Sequence, residues 1–383
     1  MKNIQLFKPK FRKREIIPLM EECFDAGWTG LGFKTQEFEE LWKEYTGLPN
    51  SHFLNSSTSG LHLAVKILKD ANKWNNGDEI ITTPLTFISS NHAILYENLN
   101  PIFADVDEYL CMDPKSIEEN ITKKTRAVLF VGLGGNAGRL NEVASICKKH
   151  GLKLILDAAH MAGTFVGDSE KLSHVGADID VTVFSFQAVK NLPTADSGMI
   201  CFKNEDYDQL ARKLSWLGIS KDTYQRSSDK GNYKWEYDLV DVGFKYHGNS
   251  IISCMGIVGL KYLEEDNKRR REICEMYDKA LNKEGVRSIK TSSYTTISSR
   301  HLYQIVVNNR NNIMEYLNSQ GIYPGVHYRD NTSYKMYSDQ FGRCPNSQNL
   351  SERVISLPLH MYLTDDDVKY VAEKVIEANK KYN

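Results

Sequence analysis

The sequence predicts an α/β protein with a large domain, built on a mostly parallel sheet flanked by helices, and a smaller α+β domain at the C-terminus. Short apolar strands alternate with helical segments from about residue 58, which is typical of a parallel sheet covered on both faces. After about residue 245 this alternation stops and a long helical stretch begins. We therefore expect a large domain over residues 1–245 and a smaller domain over residues 246–383.

The elements of the large domain follow one another closely. Amphipathic helices are predicted over residues 59–70, 89–99 and 139–151, and the last of them ends at a C-cap glycine, Gly151. Short apolar runs, several of them rich in β-branched and aromatic residues, predict the strands. These runs cover residues 79–84, 102–106, 127–131, 152–157, 180–186 and 198–202. Residues 217–238 are polar and without periodicity, so we expect a long surface loop there.

The smaller domain begins with a helical stretch from Ser250 to Lys283. A run with strand character over residues 300–307 follows, then a helix over residues 311–321 and a final helix over residues 365–381. This mixture without regular alternation predicts an α+β unit.

Composition excludes several classes of partner. Among 383 residues, 48 basic and 49 acidic side chains give a formal net charge of -1. The chain therefore lacks the basic excess that would indicate binding to nucleic acid or to an anionic membrane surface. Seven cysteines are scattered without a CxxC pair, which predicts neither a metal site nor a disulfide framework. The N-terminal segment lacks the apolar core of a signal peptide, and no apolar run is long enough to span a bilayer. We expect a soluble, cytoplasmic protein.

A glycine-rich segment suggests one candidate function. Residues 132–137, GLGGNA, have the form G-x-G-x-x-A, follow a predicted strand, and precede a helix and a strand that ends at Asp157. This is the outline of a dinucleotide-binding fingerprint, so a nicotinamide-dependent oxidoreductase is one alternative. The pattern is short, however, and it leaves the serines, threonine and lysine discussed next without a role.

The segment from Thr182 to Ile200 indicates a different chemistry. Its strand leads to Lys190, which is followed at once by a polar turn containing Pro193. Lys190 is either a solvated loop lysine or the amine that forms a Schiff base with pyridoxal phosphate. That cofactor also needs an acid beside its pyridine nitrogen, donors for its phosphate and an aromatic face for its ring.

Other residues could meet these needs, although each also has an ordinary structural explanation. Asp157 closes a strand at the sheet edge where open α/β sheets bind ligands, but it could equally cap a helix. The segment Ser56–Gly60 opens a helix whose free N–H groups suit a phosphate, or it is a plain N-cap. Ser185 could add a phosphate donor, and Phe87 could stack on the ring or belong to the core.

Taken in order, these segments resemble one family. They are NSSTSGLHLAV, TTPLTFISSNHAI with PIFADVD, LILDAAHMAGT, FSFQAVKNLPTADSGMI, GFKYHGNSI, GVHY and VISLPLH. They resemble the sugar aminotransferases of the DegT/DnrJ type, enzymes with the fold-type-I, aspartate-aminotransferase-like architecture. The resemblance runs from GWTGLGFKTQEFEE near the N-terminus to the last helix.

The resemblance implies the reaction and the partners. The cofactor would be pyridoxal 5'-phosphate, and the reaction would transfer an amino group, usually from glutamate, to a keto group of a nucleotide-linked deoxysugar, with 2-oxoglutarate as the second product. The protein would be a homodimer with two shared active sites. Its products would be amino sugars for a surface polysaccharide, lipopolysaccharide or glycosylated metabolite.

The resemblance also implies roles for individual residues. Lys190 would be the Schiff-base lysine and would move the proton, Asp157 would pair with the pyridine nitrogen, and His160 would lie near the phenolic oxygen. The implied cofactor-binding residues are Ser57, Thr58, Ser59, Phe87, Asp157, His160, Ser185 and Lys190, with His247 and Asn249 reaching the neighbouring subunit's cofactor. The implied substrate-binding residues are Trp28, Thr29, Gly30, His327 and Tyr328.

Several positions depart from the commonest family pattern. Gln187 stands where a histidine is frequent, residues 195–198 replace a glycine-rich loop, and His247 replaces the usual asparagine or arginine. A dehydratase branch of the family carries histidine at the lysine position, so Lys190 argues against that alternative. A regulatory protein that binds the cofactor without catalysis is a further alternative, which retention of both Lys190 and Asp157 disfavours. His301 could be a structural histidine.

Overall fold

The computed structural model describes residues 2–167, 171–220 and 237–382. Most of the surface loop predicted over residues 217–238 lies outside these ranges. The strands are β1 (Ile4–Gln5), β2 (Asn50–Leu54), β3 (Glu79–Thr82), β4 (Asn100–Phe103), β5 (Thr125–Val131), β6 (Lys153–Asp157), β7 (Phe165–Val166), β8 (Ser173–His174), β9 (Val181–Ser185), β10 (Gly198–Phe202), β11 (Arg287–Ser288), β12 (Thr295–Ile297), β13 (Tyr303–Val306), β14 (Ile322–Tyr323) and β15 (Val354–Leu357). The helices are α1 (Lys13–Asp25), α2 (Phe33–Thr46), α3 (Ser57–Ala71), α4 (Ile88–Tyr96), α5 (Pro114–Glu119), α6 (Leu140–His150), α7 (Glu205–Leu214), α8 (Ser250–Lys261), α9 (Leu263–Leu281), α10 (Arg310–Ser319), α11 (Pro345–Arg353) and α12 (Asp365–Tyr382).

A seven-stranded sheet in the order β2-β10-β9-β6-β5-β3-β4 forms the centre of the large domain. The run from β9 to β4 is parallel throughout, and β10 is antiparallel to both of its neighbours. The predicted α/β class with a mostly parallel sheet is confirmed. Because β10 reverses direction, the connection from β9 to β10 stays at the carboxyl edge of β9 and needs no crossover helix. That connection carries Lys190.

Side chains of the central strands alternate between two hydrophobic cores. Along β5, Val128 and Phe130 belong to the core on one face, whereas Ala127 and Leu129 belong to the core on the other. Helix α3 packs on β9 and β10 over the second core, and α6 packs on β5 and β6. Strands buried on both faces are therefore apolar at almost every position, which is why short apolar runs predicted them.

The first helical stretch of the C-terminal half differs from the prediction. The helical stretch expected from Ser250 to Lys283 is broken at Tyr262, which has the non-helical backbone angles φ -111° and ψ 1°. The two parts have different partners, because α8 packs on α1 and α2 whereas α9 packs mainly on α12. A single residue separates the two helices and neither glycine nor proline marks the break, so the sequence did not reveal it.

A third core, separate from the two that cover the central sheet, joins α9 and α12 to the antiparallel sheet β11-β13-β15. Ile4 of β1 belongs to this core, since β1 pairs with β14 and Ile4 lies opposite Ile322. The N-terminal segment therefore crosses to the C-terminal half. The division of the chain at residues 245 and 246 stays a prediction. No helix in the described ranges is both long and apolar enough to cross a membrane.

Candidate active site

A cavity of about 430 Å³ opens at the carboxyl edge of the central sheet. Its floor includes the last residues of three parallel strands, Val131 of β5, Asp157 of β6 and Ser185 of β9. The predicted site residues that line it are Ser57, Thr58, Phe87, Asp157, His160, Ser185, Lys190, His327 and Tyr328. The structure thus brings together residues from both halves of the chain at the edge where open α/β sheets bind ligands.

Lys190 projects from the connection between β9 and β10. The connection is closed by backbone hydrogen bonds from Lys190 N–H to the Gln187 carbonyl (2.8 Å) and from Thr194 N–H to the Phe186 carbonyl (2.8 Å). Burial lowers the pKa of the Lys190 amine from 10.5 to about 8, while the Asp157 carboxylate opposes that shift. No described residue makes a hydrogen bond or ion pair with the amine. A partly buried lysine with a lowered pKa has the properties of a nucleophilic amine.

Asp157 faces the same cavity and is almost fully buried. Its Oδ2 accepts a hydrogen bond from Ser90 Oγ (2.7 Å), and its Oδ1 accepts one from Ala159 N–H (3.1 Å). Burial raises the pKa of this carboxyl, whereas the two hydrogen bonds and the Lys190 charge work in the opposite direction. An oriented carboxylate of this kind can hold a proton on a ring nitrogen of a bound ligand.

The N-terminus of α3 has the free hydrogen-bond donors of an anion-binding site. Ser56 is the N-cap, because its Oγ accepts from Ser59 N–H (3.1 Å), and Ser59 Oγ donates to Asn55 Oδ1 (2.8 Å). Within the described residues, the hydroxyls and N–H groups of Ser57 and Thr58 make no hydrogen bond. Free donors at the start of a fifteen-residue helix suit a phosphate.

Three histidines surround the cavity and burial keeps them neutral. Gly134 N–H donates to His160 Nδ1 (3.2 Å), so the ring proton is on Nε2, which lies 3.3 Å from the Tyr328 hydroxyl. Burial, together with the charge of Lys190, lowers the pKa of His327 to about 4 and holds the pKa values of His160 and His301 well below their ordinary range. Asp157 is the carboxylate whose charge acts on the Lys190 amine.

Other predicted residues do not line this cavity. Ser59 is occupied in the helix cap described above. Asn249 is the N-cap of α8, where its Oδ1 accepts from Ile252 N–H (2.9 Å), and His247 lies just before it. The Trp28–Gly30 loop is in contact with this segment, since Ser250 N–H donates to the Gly30 carbonyl (2.8 Å). The outlying predicted residues thus form one surface region, named here the Trp28–Asn249 region.

The dinucleotide alternative finds no support in the geometry. Helix α6 begins at Leu140, several residues after the GLGG turn, so its N-terminus does not follow the glycines directly. Asp157, which would bind a ribose in that scheme, faces Lys190 in the cavity. Within the described residues, no cluster of His, Cys, Asp or Glu side chains could hold a metal ion.

The residues present fit pyridoxal phosphate. One cavity contains an amine of lowered pKa, a buried carboxylate, an anion-binding helix terminus and an aromatic ring, that of Phe87, at its wall. Bound in this way, the cofactor would be held by Lys190, Asp157 and the N-terminus of α3. The Lys190 amine and the donors of Ser57 and Thr58 have no hydrogen-bond partner among the described residues. The Asp157 oxygens accept from Ser90 and Ala159 and keep lone pairs for a further contact.

The model of the DegT/DnrJ/EryC1/StrS aminotransferase family matches residues 11–376. The chain belongs to this family. SpsC, a spore coat polysaccharide biosynthesis protein of Bacillus subtilis (strain 168), is 33% identical over 377 residues, which cover 94% of each chain. The structure of the sugar aminotransferase CalS13 from Micromonospora echinospora matches at 26% identity with a TM-score of 0.88, over 98% of this chain and 99% of that one.

A third relative, Spr1654 from Streptococcus pneumoniae, has been solved with the cofactor. Its PMP form matches at 27% identity with a TM-score of 0.89, over 98% of this chain and 99% of that one, and its PLP form also matches at 27% with a TM-score of 0.89, over 99% of each chain. The predicted family, fold type, enzyme class and cofactor of this family member are confirmed. The assignment of individual site residues stays a prediction.

Several residues that line the cavity or contact its lining were not predicted as part of the site. Ser90 was not predicted because a serine in an apolar helix has many ordinary explanations. Its position three residues after Phe87, a predicted cofactor-binding residue, could have indicated that it lies near the site. His301, interpreted as a structural histidine, lines the cavity. Phe7 lines it too and comes from far away in the sequence, so no local pattern indicated it.

Proposed function

We propose that this protein is a pyridoxal phosphate-dependent aminotransferase that moves an amino group from glutamate to a keto group of a nucleotide-linked deoxysugar. The observation that carries the proposal is the pairing, in one cavity, of the Lys190 amine of lowered pKa with the buried carboxylate of Asp157. Membership of an aminotransferase family and similarity to a polysaccharide biosynthesis protein and a sugar aminotransferase support it.

The cofactor, when bound, supplies an electron sink that stabilises negative charge at the reacting carbon. Asp157 maintains that property by holding a proton at the ring nitrogen. Lys190 would act as general base toward the donor's α-carbon and as general acid toward the carbon that carries the cofactor's aldehyde group. Because its pKa is about 8, Lys190 can both accept and release a proton near neutral pH.

His160 and Tyr328 orient groups at the cavity wall. The His160 Nε2–H donates to the Tyr328 hydroxyl, which leaves the phenol proton free to donate into the cavity. Burial raises the pKa of Tyr328 above its ordinary value, so the phenol stays protonated. These neutral donors suit the oxygens of a cofactor or sugar and add no charge beside Lys190.

The protein is also proposed to act as a homodimer with shared active sites. The Trp28–Asn249 region lies outside the cavity of its own chain, which is what residues serving a neighbouring cavity require. Phe87, at the cavity wall, is 59% exposed in the single chain and would be covered by a neighbour. The proposed setting is the cytoplasmic synthesis of amino sugars for a surface polysaccharide or glycoside.

The first experiment compares absorbance spectra of the protein loaded with pyridoxal phosphate, before and after addition of glutamate. The wild type should show a visible band that glutamate bleaches, and Lys190→Ala should not. Lys115→Ala, which alters a lysine with an 80% exposed side chain, is the matched control and should behave as the wild type.

Each other outcome has a defined meaning. A band that glutamate leaves unchanged would favour the regulatory protein that binds cofactor without catalysis, or a different amino donor. Absence of a band in the loaded wild type would refute the proposal. Where glutamate bleaches the band, keto-sugars linked to different nucleotides restore it, and the one that does so fastest identifies the acceptor.

A further inference from the structure

Asn191, the residue after Lys190, is the centre of a buried hydrogen-bond network. Its Nδ2 donates to the Ser299 carbonyl (2.7 Å) and to Asn267 Oδ1 (2.7 Å), so both amide hydrogens are used. Its Oδ1 lies 2.8 Å from His301 Nδ1 and must be the acceptor there. The His301 ring therefore carries its proton on Nδ1. The backbone beside Lys190 is thus fixed by three partners from the C-terminal half of the chain.

The GLGG turn, which has no role in cofactor chemistry, brings His301 to this position. His301 N–H donates to the Gly134 carbonyl (3.1 Å), while Gly134 N–H donates to His160. Gly134 and Gly135 have φ values of 68° and 87°, which disfavour any side chain. A Cβ on Gly135 would lie 2.3 Å from Ser299 Oγ, so this position must lack a side chain for residues 298–302 to pack against the turn.

The imidazole of His301 is held rigidly and without charge. Its ring stacks on Phe7 with centroids 5.3 Å apart and an interplanar angle of 11°, and it lies 4.3 Å from the His160 ring. Only 2% of His301 is exposed, and burial lowers its pKa. A neutral N–H donor can fix Asn191 without adding a positive charge beside the Lys190 amine, which a lysine or arginine at this position would do.

We propose that His301 is a positioning residue for Lys190, acting through the side chain of Asn191. The inference rests on the proposed function, in which Lys190 is the reactive amine. Removing the Nδ1 donor would leave Asn191 Oδ1 unpaired in a buried site, and the amide would then turn to find another partner. Because Asn191 adjoins Lys190, this turn moves the amine, and a displacement of about 1 Å can slow a positioned reaction about 100-fold.

The test compares two amide substitutions that differ in where they place a donor. His301→Asn puts an N–H at the position of Nδ1, so the bond to Asn191 is kept. His301→Gln puts its N–H at the position of Nε2, so that bond is lost. Apoprotein is mixed with pyridoxal phosphate over a pH series, and the rate of attachment at Lys190 is followed by the visible band and confirmed by borohydride reduction and peptide mapping.

We expect attachment at Lys190 to be slowed about 10-fold or more in His301→Gln at every pH, and His301→Asn to stay within about threefold of the wild type, following the loss estimated for misplaced groups. Melting temperatures of the apoproteins are measured alongside. Equal rates in the two variants, or rates that simply follow the melting temperatures, would overturn the positioning role.

A second variant keeps the inference testable if an amide is not tolerated. His301→Phe retains a ring on Phe7 and removes the donor, so it should be as slow as His301→Gln. Combining it with Asn191→Ala should add little further slowing, because both substitutions break the same connection. Full additivity would refute the connection. Failure of the wild type to attach the cofactor at Lys190 would instead overturn the proposed function, and this inference with it.

Discussion

The Lys190 amine should titrate far below an ordinary lysine, and Asp157 should set how far. A pKa lowered from 10.5 to about 8 corresponds to about a 300-fold weaker hold on the proton. At neutral pH, the fraction of reactive free amine is higher by nearly the same factor. Burial causes this shift, and the Asp157 carboxylate is the charge that limits it. Asp157→Asn should therefore lower the Lys190 pKa further.

The measurement is competitive labelling of the apoprotein with an amine-specific reagent over a pH series, read out by peptide mapping. Lys190 labelling should reach its midpoint near pH 8 in the wild type and at a lower pH in Asp157→Asn. Lys115, on the surface, is the internal reference, and its labelling should not respond to Asp157→Asn. A Lys190 midpoint near 10.5, or an upward movement in Asp157→Asn, would refute the electrostatic reasoning for this site.

Three further predictions concern buried charge. Apo Lys190→Met should be more stable at neutral pH by up to about 3 kcal/mol, because the folded state holds the lysine proton less tightly than the unfolded state. In urea denaturation this advantage should shrink as pH rises from about 8 to 10.5, and no advantage would contradict it. Ser90→Ala removes the hydroxyl hydrogen bond to Asp157, which is already made without ligand. Urea denaturation of the apoprotein should show a loss of about 1.5–3 kcal/mol, and unchanged stability would count against it. Glu39→Gln should lower the free energy of unfolding by about 3 kcal/mol at neutral pH. Burial disfavours the Glu39 carboxylate, but the Arg212 guanidinium 2.8 Å away keeps the Glu39 pKa at about 2. The stability that comes from the lowered Glu39 pKa is present above the unfolded value of 4.5 and is lost as pH falls toward 2. The unfolding free energies of the wild type and Glu39→Gln should therefore converge in acid. A constant difference between them at all pH values would exclude this cause.

The sequence predicted six of the seven strands of the central sheet, because each of those six is a short apolar segment with a local signature, and it missed the edge strand β2. Apolar runs marked β5, β6 and β9, and polar residues at their ends marked the edge where the cavity lies. Lys190 and Asp157 could be predicted because each adjoins such a strand. Resemblance to a family then joined these weak local signals into one site.

What the sequence could not predict depends on contacts between distant segments. The interpretation of His301 as structural was reasonable, because only the fold brings its ring beside Asn191 and His160. The break at Tyr262 was missed because a single residue separates α8 from α9 and neither glycine nor proline marks it, although the two helices pack against different partners. The GLGG turn suggested a nucleotide loop, since close approach of a ligand and close approach of another segment both require glycine.

The cavity walls come from both halves of the chain, and this has a consequence for how the protein is made. At about 5–20 residues per second, the roughly 140 residues from Lys190 to Tyr328 take roughly 7–28 s to leave the ribosome. During that interval Lys190 has been made, but the later cavity residues His301, His327 and Tyr328 have not. The amine is therefore in contact with water and behaves as an ordinary protonated lysine. The amine therefore reaches its lowered pKa only after the segment that contains His327 and Tyr328 has been made and has folded onto the cavity.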